Sequence, residues 1–156
     1  MSKKARRLAR ELALDVLYEA EIRDLLPLEC FALRQNQGWV TGGDEDEPGE
    51  AVHVPVEPDE PAVAYARVLV EGVQSHQAEL DRLIVDYADR WAIQRMPVVD
   101  RSLLRIGLYE LLFRDDIPVP VAINEAVELA KSLSTEDSGR FVNGLLGRIA
   151  EERAGD

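Results

Sequence analysis

The sequence predicts an all-α protein, and three observations carry that expectation. Apolar residues recur at helical spacing along most of its 156 residues. Prolines stand where these stretches begin, at Pro61, Pro97, Pro118 and Pro120, where a missing N–H is harmless and a fixed φ favours the first helical turn. The one long interruption, at about residues 36–60, is rich in Gly, Pro and acids and reads as an irregular insertion.

Residues 5–25 form the first helical pattern. At about 100° per residue, Ala9, Leu12, Ala13, Val16 and Ala20 share one stripe, which is the expected core face. The opposite side carries Arg7, Leu14, Tyr18, Ile22 and Leu25. Two readings of that second face stand: burial inside the bundle, or a seat for a partner. The start of this helix is basic, with Lys3, Lys4, Arg6, Arg7 and Arg10 and no acid before Glu11. Exposed cations at a helix N-terminus cost about 0.3–1 kcal/mol each, and a phosphate backbone would offset that cost. The competing reading is a flexible basic terminus with no specific task.

A short helix is expected over Leu28 to Gln35. After the insertion, Ala62, Ala66, Leu69 and Val73 form one stripe, and a further helix carries Leu80, Leu83, Ile84, Tyr87 and Trp91, read as core rather than as an aromatic platform for bases. Pro97 opens VVDRSLLRIGLYELLF, whose apolar residues spread round most of the helix and make it central. Arg101 and Arg105 are a like-charge i,i+4 pair on it, with Asp100, Glu110 or Glu125 as expected partners of Arg105. Asp100 and Arg101, near the helix start, are expected to be exposed.

The chain closes on VPVAINEAVELAKSLSTEDSGRFVNGLLGRI, two helices meeting at a polar turn over Ser134 to Ser138. Asp137 or a neighbouring hydroxyl is expected to cap the second helix, along which Phe141, Leu145, Leu146 and Ile149 make an apolar stripe. Asn124, Asn143, Gly144 and Gly147 are poor helix formers, which close packing around satisfied amides would explain.

Composition narrows the function. With 30 acidic and 18 basic residues the net charge is −12, so the molecule as a whole repels nucleic acid and any RNA binding must be local. The length suits one domain burying roughly 70% of the unfolded chain's surface. A single cysteine, Cys30, leaves no intramolecular disulfide, and His53 and His76 have no metal-ligand spacing. No phosphate-cradling loop, nucleophile motif or paired carboxylate stands out, so no cofactor, no metal and no catalytic residue is expected. Nor does any apolar run suit a signal peptide or a membrane span, and a cytoplasmic protein is the expectation.

The blocks INEAVELAK and FVNGLLG resemble the C-terminal signature of the NusB family, and the likeness continues through DRSLLRIGLYELL, DIPVPVAINE and RRLARELALDVLYE. It covers about residues 4–150 apart from the segment near 35–60. The resemblance implies a single NusB-like RNA-binding domain over 1–156, of about seven helices in two packed sub-bundles. It further implies transcription antitermination: recognition of the single-stranded boxA element of ribosomal RNA leaders with the ribosomal protein NusE, in a complex that loads onto RNA polymerase. Carried over residue by residue, RNA contacts fall on Lys3, Lys4, Arg6, Arg7, Arg10, Asp137, Arg140 and Phe141, and the NusE face on Tyr18, Asp100 and Arg101. Asp137 and Phe141 also have purely structural readings, as helix cap and core residue. Two alternatives accompany this one. NusB-like domains precede a methyltransferase domain in some RNA cytosine methyltransferases, although no cofactor-binding half is expected here; some NusB-like proteins self-associate, which suits a homodimer or protein adaptor.

Overall fold

Helix α1, Lys3–Arg23, begins where the Ser2 hydroxyl accepts the Ala5 N–H at 3.0 Å. Its last turn closes through Asp24, left-handed at φ 55°, and a Leu25 N–H to Ala20 C=O bond of 2.8 Å. The computed structural model describes residues 1–41, 54–89 and 91–154. The basic start is thus helical. The apolar stripe Ala9, Leu12, Ala13, Val16 and Ala20 is buried, and so are Leu14 and Leu17 on other sides of the helix. Past the middle, Tyr18 and Ile22 are exposed, at 44% and 62%. Burial inside the bundle therefore holds for Leu14 on the second face and not for Tyr18 or Ile22.

Helix α2, Pro27–Gln37, has Pro27 in its first turn and ends at Gly38, whose φ of +100° disfavours a side chain. Cys30 and Phe31 are buried from it. The Cys30 thiol donates to Glu19 Oε2 at 3.0 Å; burial, then that bond, push its pKa up to about 12. Trp39–Thr41 (β1) pairs antiparallel with Val54–Val56 (β2), Trp39 opposite Val56. The ends of the segment expected to be irregular are thus paired, because aromatic and β-branched residues suit a ladder too short to show a period in sequence. Trp39 packs edge-on against Phe31 at 5.2 Å, with the Arg67 guanidinium 5.9 Å from the Phe31 ring. The middle of the insertion, 42–53, lies outside the described residues.

Two compact units divide the chain, Met1–Glu71 and Gly72–Asp156, with α3, Glu60–Tyr87, running through the division. One helix replaces the two expected over 61–91. Leu69, Val73, Leu80 and Ile84 continue one stripe at spacings of 4, 7 and 4 with no breaker after Val73, and all four are buried. The described residues accordingly form six α-helices and one 3-10 turn, close to the seven expected.

In the second unit the 3-10 turn Ile93–Arg95 leads into α4, Val98–Phe113, followed by α5, Val119–Leu133, and α6, Glu136–Ala154. Helix α4 is central as expected: Leu103, Leu104, Ile106 and Leu108 are each at most 2% exposed. A Cβ on Gly107 would stand 2.9 Å from Leu146 Cδ1 and 3.3 Å from the Ala126 Cβ, so glycine here sets how closely α4 meets α5 and α6. Arg105 pairs in a two-pronged bond with Asp81 of α3, at 2.7 and 3.1 Å, a partner outside the three candidates on α4 and α5.

Candidate nucleic-acid interface

The turn between α5 and α6 is organised by hydroxyls. Thr135, not Asp137, caps α6: its Oγ1 accepts the Ser138 N–H at 3.0 Å. The Thr135 hydroxyl donates to Ser138 Oγ at 3.0 Å, Ser134 Oγ lies 2.9 Å from the same atom, and Ser138 Oγ donates to Asp100 Oδ2 at 2.9 Å. This chain of bonds ties the start of α6 to the start of α4. It also corrects the expected exposure of Asp100, which is 1% exposed because the first turn of α6 covers it. Arg101 is likewise turned to the protein, its Nη1 donating to the carbonyls of Ile93, Gln94 and Met96 at 3.3, 3.4 and 2.8 Å.

On the outer side of the turn, Asp137 and Arg140 form an exposed pair at 2.7 Å, with side chains 90% and 75% accessible. Asp137 is in the first turn of α6, where a carboxylate is favoured by the helix dipole. Phe141 is partly buried and meets the Trp91 ring at 4.6 Å and 68°. Trp91, expected as core, is 36% exposed. Helix α3 stops at Tyr87 and Asp89 takes φ 48°, so Trp91 leaves the stripe that its spacing suggested. Trp91, Pro97, Asp100, Ser134, Thr135, Asp137, Ser138 and Phe141 line a pocket of about 380 Å³. Nearby, the Lys131 stem crosses the start of α6, its Cγ 2.6 Å from where a Gly139 Cβ would be.

Asn124, Asn143 and Gly144 are exposed, and a Cβ on Gly144 or Gly147 would meet nothing within 4 Å. Close packing therefore does not account for these residues.

In the first unit, Lys3, Lys4 and Arg7 are exposed at the start of α1 and Arg6 is partly buried. Arg10 is 2% exposed, which corrects its expected place on an RNA surface: it shares the Leu14 and Leu17 side of α1, where the helix is enclosed. A row of acids, Glu11, Asp15 and Glu19, follows on the same helix at i,i+4 spacing. Burial, then Glu11 and Glu19, raise the Asp15 pKa to about 7, and burial raises Glu11 against the pull of Arg7. Positive charge on α1 is therefore concentrated in its first turns, with Arg23, paired to Glu19, in the last. Tyr18 is exposed as a partner contact requires.

Among the described residues no three His, Cys, Asp or Glu side chains are grouped to hold a metal ion, and no helix is long and apolar enough to cross a membrane. Sequence reasoning allowed a neighbouring hydroxyl as the cap without singling out Thr135, and missed Ser138 as the link to α4 and Trp91 as the aromatic neighbour. The Ser134–Ser138 hydroxyl cluster signalled the first two; nothing in the spacing signalled Trp91.

The family model "NusB family" matches residues 7–151. The chain is 49% identical over 147 residues to the transcription antitermination protein NusB of Salinispora arenicola, covering 94% of this chain and 96% of that one. Among solved structures it is similar to T. maritima NusB, with TM-score 0.74, 36% identity and coverage of 94% and 91%. It is also similar to a chain in a crystal structure of antitermination factors NusB and NusE in complex with dsRNA, with TM-score 0.75, 27% identity and coverage of 97% and 99%.

Proposed function

The chain belongs to the NusB family, and on that footing we propose that it is a non-catalytic, cytoplasmic transcription antitermination factor. It binds boxA-type single-stranded RNA of ribosomal RNA transcripts together with NusE and supports processive transcription by RNA polymerase. The observation that carries the RNA reading is the outer edge of the α5–α6 turn, where an exposed Arg140 stands beside a Phe141 that a base can approach. Arginine binds phosphate and an aromatic ring stacks on any unpaired base.

Lys3, Lys4 and Arg7 add a second, purely electrostatic element, with Arg6 partly buried behind them. An ordered helix start presents these cations together with its own N–H groups, a better phosphate site than a loose tail. With a net charge of −12, the rest of the surface discourages non-specific RNA. Asp137 holds Arg140 in place, and Arg10 supports the packing of α1 rather than touching RNA. For the NusE face, Tyr18 is the contact, with Ile22 one turn further along the exposed side of α1. Asp100 and Arg101 serve that face only by fixing the start of α4.

Fluorescence anisotropy of a labelled boxA RNA tests this, with and without NusE, at two salt concentrations and against a scrambled RNA. Selective binding strengthened by NusE is expected, with a log–log salt slope of about −3 if four cations meet phosphates. A Lys3→Ala, Lys4→Ala, Arg7→Ala variant should bind more weakly with a shallower slope. Tyr18→Ala should diminish the NusE enhancement alone. No selective binding in the presence of NusE would overturn the proposal.

A further inference from the structure

We propose that the pocket lined by the Trp91–Phe141 pair and Asp100 takes a single unpaired nucleobase bearing an exocyclic amino group, with Asp100 as its hydrogen-bond acceptor. This rests on the RNA reading above and adds a base preference to it.

The direction of the protons in the hydroxyl chain carries the argument. Thr135 gives its hydroxyl proton to Ser138, and Ser138 gives its own to Asp100 Oδ2. One carboxylate oxygen is thereby supplied. The other, Oδ1, is buried and has no donor among the described residues. A buried carboxylate oxygen without a donor is costly, and Asp100 is part of the wall of a pocket of about 380 Å³, within the size range of small-ligand sites. The natural occupant is therefore a group that donates.

The other walls restrict its shape and charge. Trp91 and Phe141 are tilted at 68° with centroids 4.6 Å apart, so a flat heterocycle can lie on the face of one ring near the edge of the other. Asp100 and Asp137 both line the pocket, which excludes a phosphate. Arg140, exposed, next in sequence to Phe141 and paired with the lining residue Asp137, can take the adjoining phosphate instead. An aromatic slot with an unsupplied carboxylate oxygen on Asp100 in its wall favours cytosine N4–H₂, which donates, over the uracil O4 carbonyl, which only accepts.

Octamers of cytidine and of uridine carry equal phosphate charge and differ only in the bases. Wild-type protein should bind the cytidine octamer about tenfold more tightly by anisotropy, and Asp100→Asn should bring the ratio close to one. Ser138→Ala provides the folding control: it removes the same interhelical bond but keeps the acceptor, so the ratio should persist. An equal affinity for the two octamers in wild-type protein, or a ratio untouched by Asp100→Asn, overturns the base preference while leaving RNA binding intact. The slot is also tested without RNA, through the Trp91 indole N–H resonance, assigned by Trp91→Phe. Cytidine should shift it and uridine should not. A shift with N-acetylarginine amide in place of cytidine would make the slot a cation site for a protein side chain and overturn the proposal. So would no shift with any probe. Failure of all RNA to bind, with the cytidine shift present, would instead count against the antitermination reading.

Discussion

Asp100 and Ser138, 38 residues apart in sequence, join in the interior of the second unit, the Ser138 hydroxyl donating to Asp100 Oδ2 at 2.9 Å. A hydrogen bond to a charged acceptor contributes about 1.5–3 kcal/mol, and removing the donor leaves a buried carboxylate poorly supplied. Ser138→Ala should therefore destabilise the protein by about 2 kcal/mol, lowering Tm by roughly 4–8 °C in thermal unfolding. A Tm within a degree of wild type would mean that the bond contributes nothing to stability.

Asp15 gives a pH dependence of known sign. Its pKa is about 7 in the fold against an ordinary 3.8, so the folded state holds an extra proton between those values. This group's contribution to stability is full below about pH 4 and is lost as pH rises through 7, with a slope of at most about 1.4 kcal/mol per unit. Denaturant unfolding of Asp15→Asn and wild type at several pH values isolates it. The variant should gain stability relative to wild type as pH rises from 4 to 8; a constant difference would refute the assignment.

Gly144 and Gly147 sit in helix α6 with open space where a Cβ would point. Alanine at either position should stabilise the fold by about 0.5–1 kcal/mol through higher helix propensity, measured by chemical denaturation. If the glycines are instead kept for a partner's close approach, the same variants will weaken RNA or NusE binding while raising stability.

Gly72 lies under Tyr109: a Cβ there would stand 2.1 Å from the ring carbon Cζ. Tyr109 also stacks on Phe113 at 5.7 Å and on His76 at 6.2 Å, which limits its freedom to move aside. Gly72→Ala should cost about 1–3 kcal/mol, and most of that penalty should vanish when Tyr109 is also replaced by Leu. A double-mutant cycle in urea with no coupling would show that the ring yields freely.

Much of the fold was legible. The central place of α4, the α5–α6 hairpin and the core stripe of α1 follow from spacing alone, because a helix fixes which of its own residues share a side. Spacing was weaker on where helices stop. Residues 74–79 contain neither Gly nor Pro, and the stripe runs through them without a break, so one helix stands where two were expected. For the candidate site, the sequence located the turn and the exposed Arg140, but it misjudged depth. Arg10 is charged and buried, Asp100 is acidic and buried, and Trp91 is apolar and partly open.

The sequence by itself determined the helical class, the order of the elements, the local concentration of positive charge at the start of α1 and the family to which the chain belongs. Those are properties of neighbouring residues or of short strings of them. Only the tertiary structure decided that Thr135 and Ser138 deliver their protons towards Asp100, that Asp81 pairs with Arg105, and that Trp91 flanks Phe141. Each of these joins residues on different elements. Burial and pairing depend on what lies across from a side chain, and one helix's periodicity carries no record of its neighbour's.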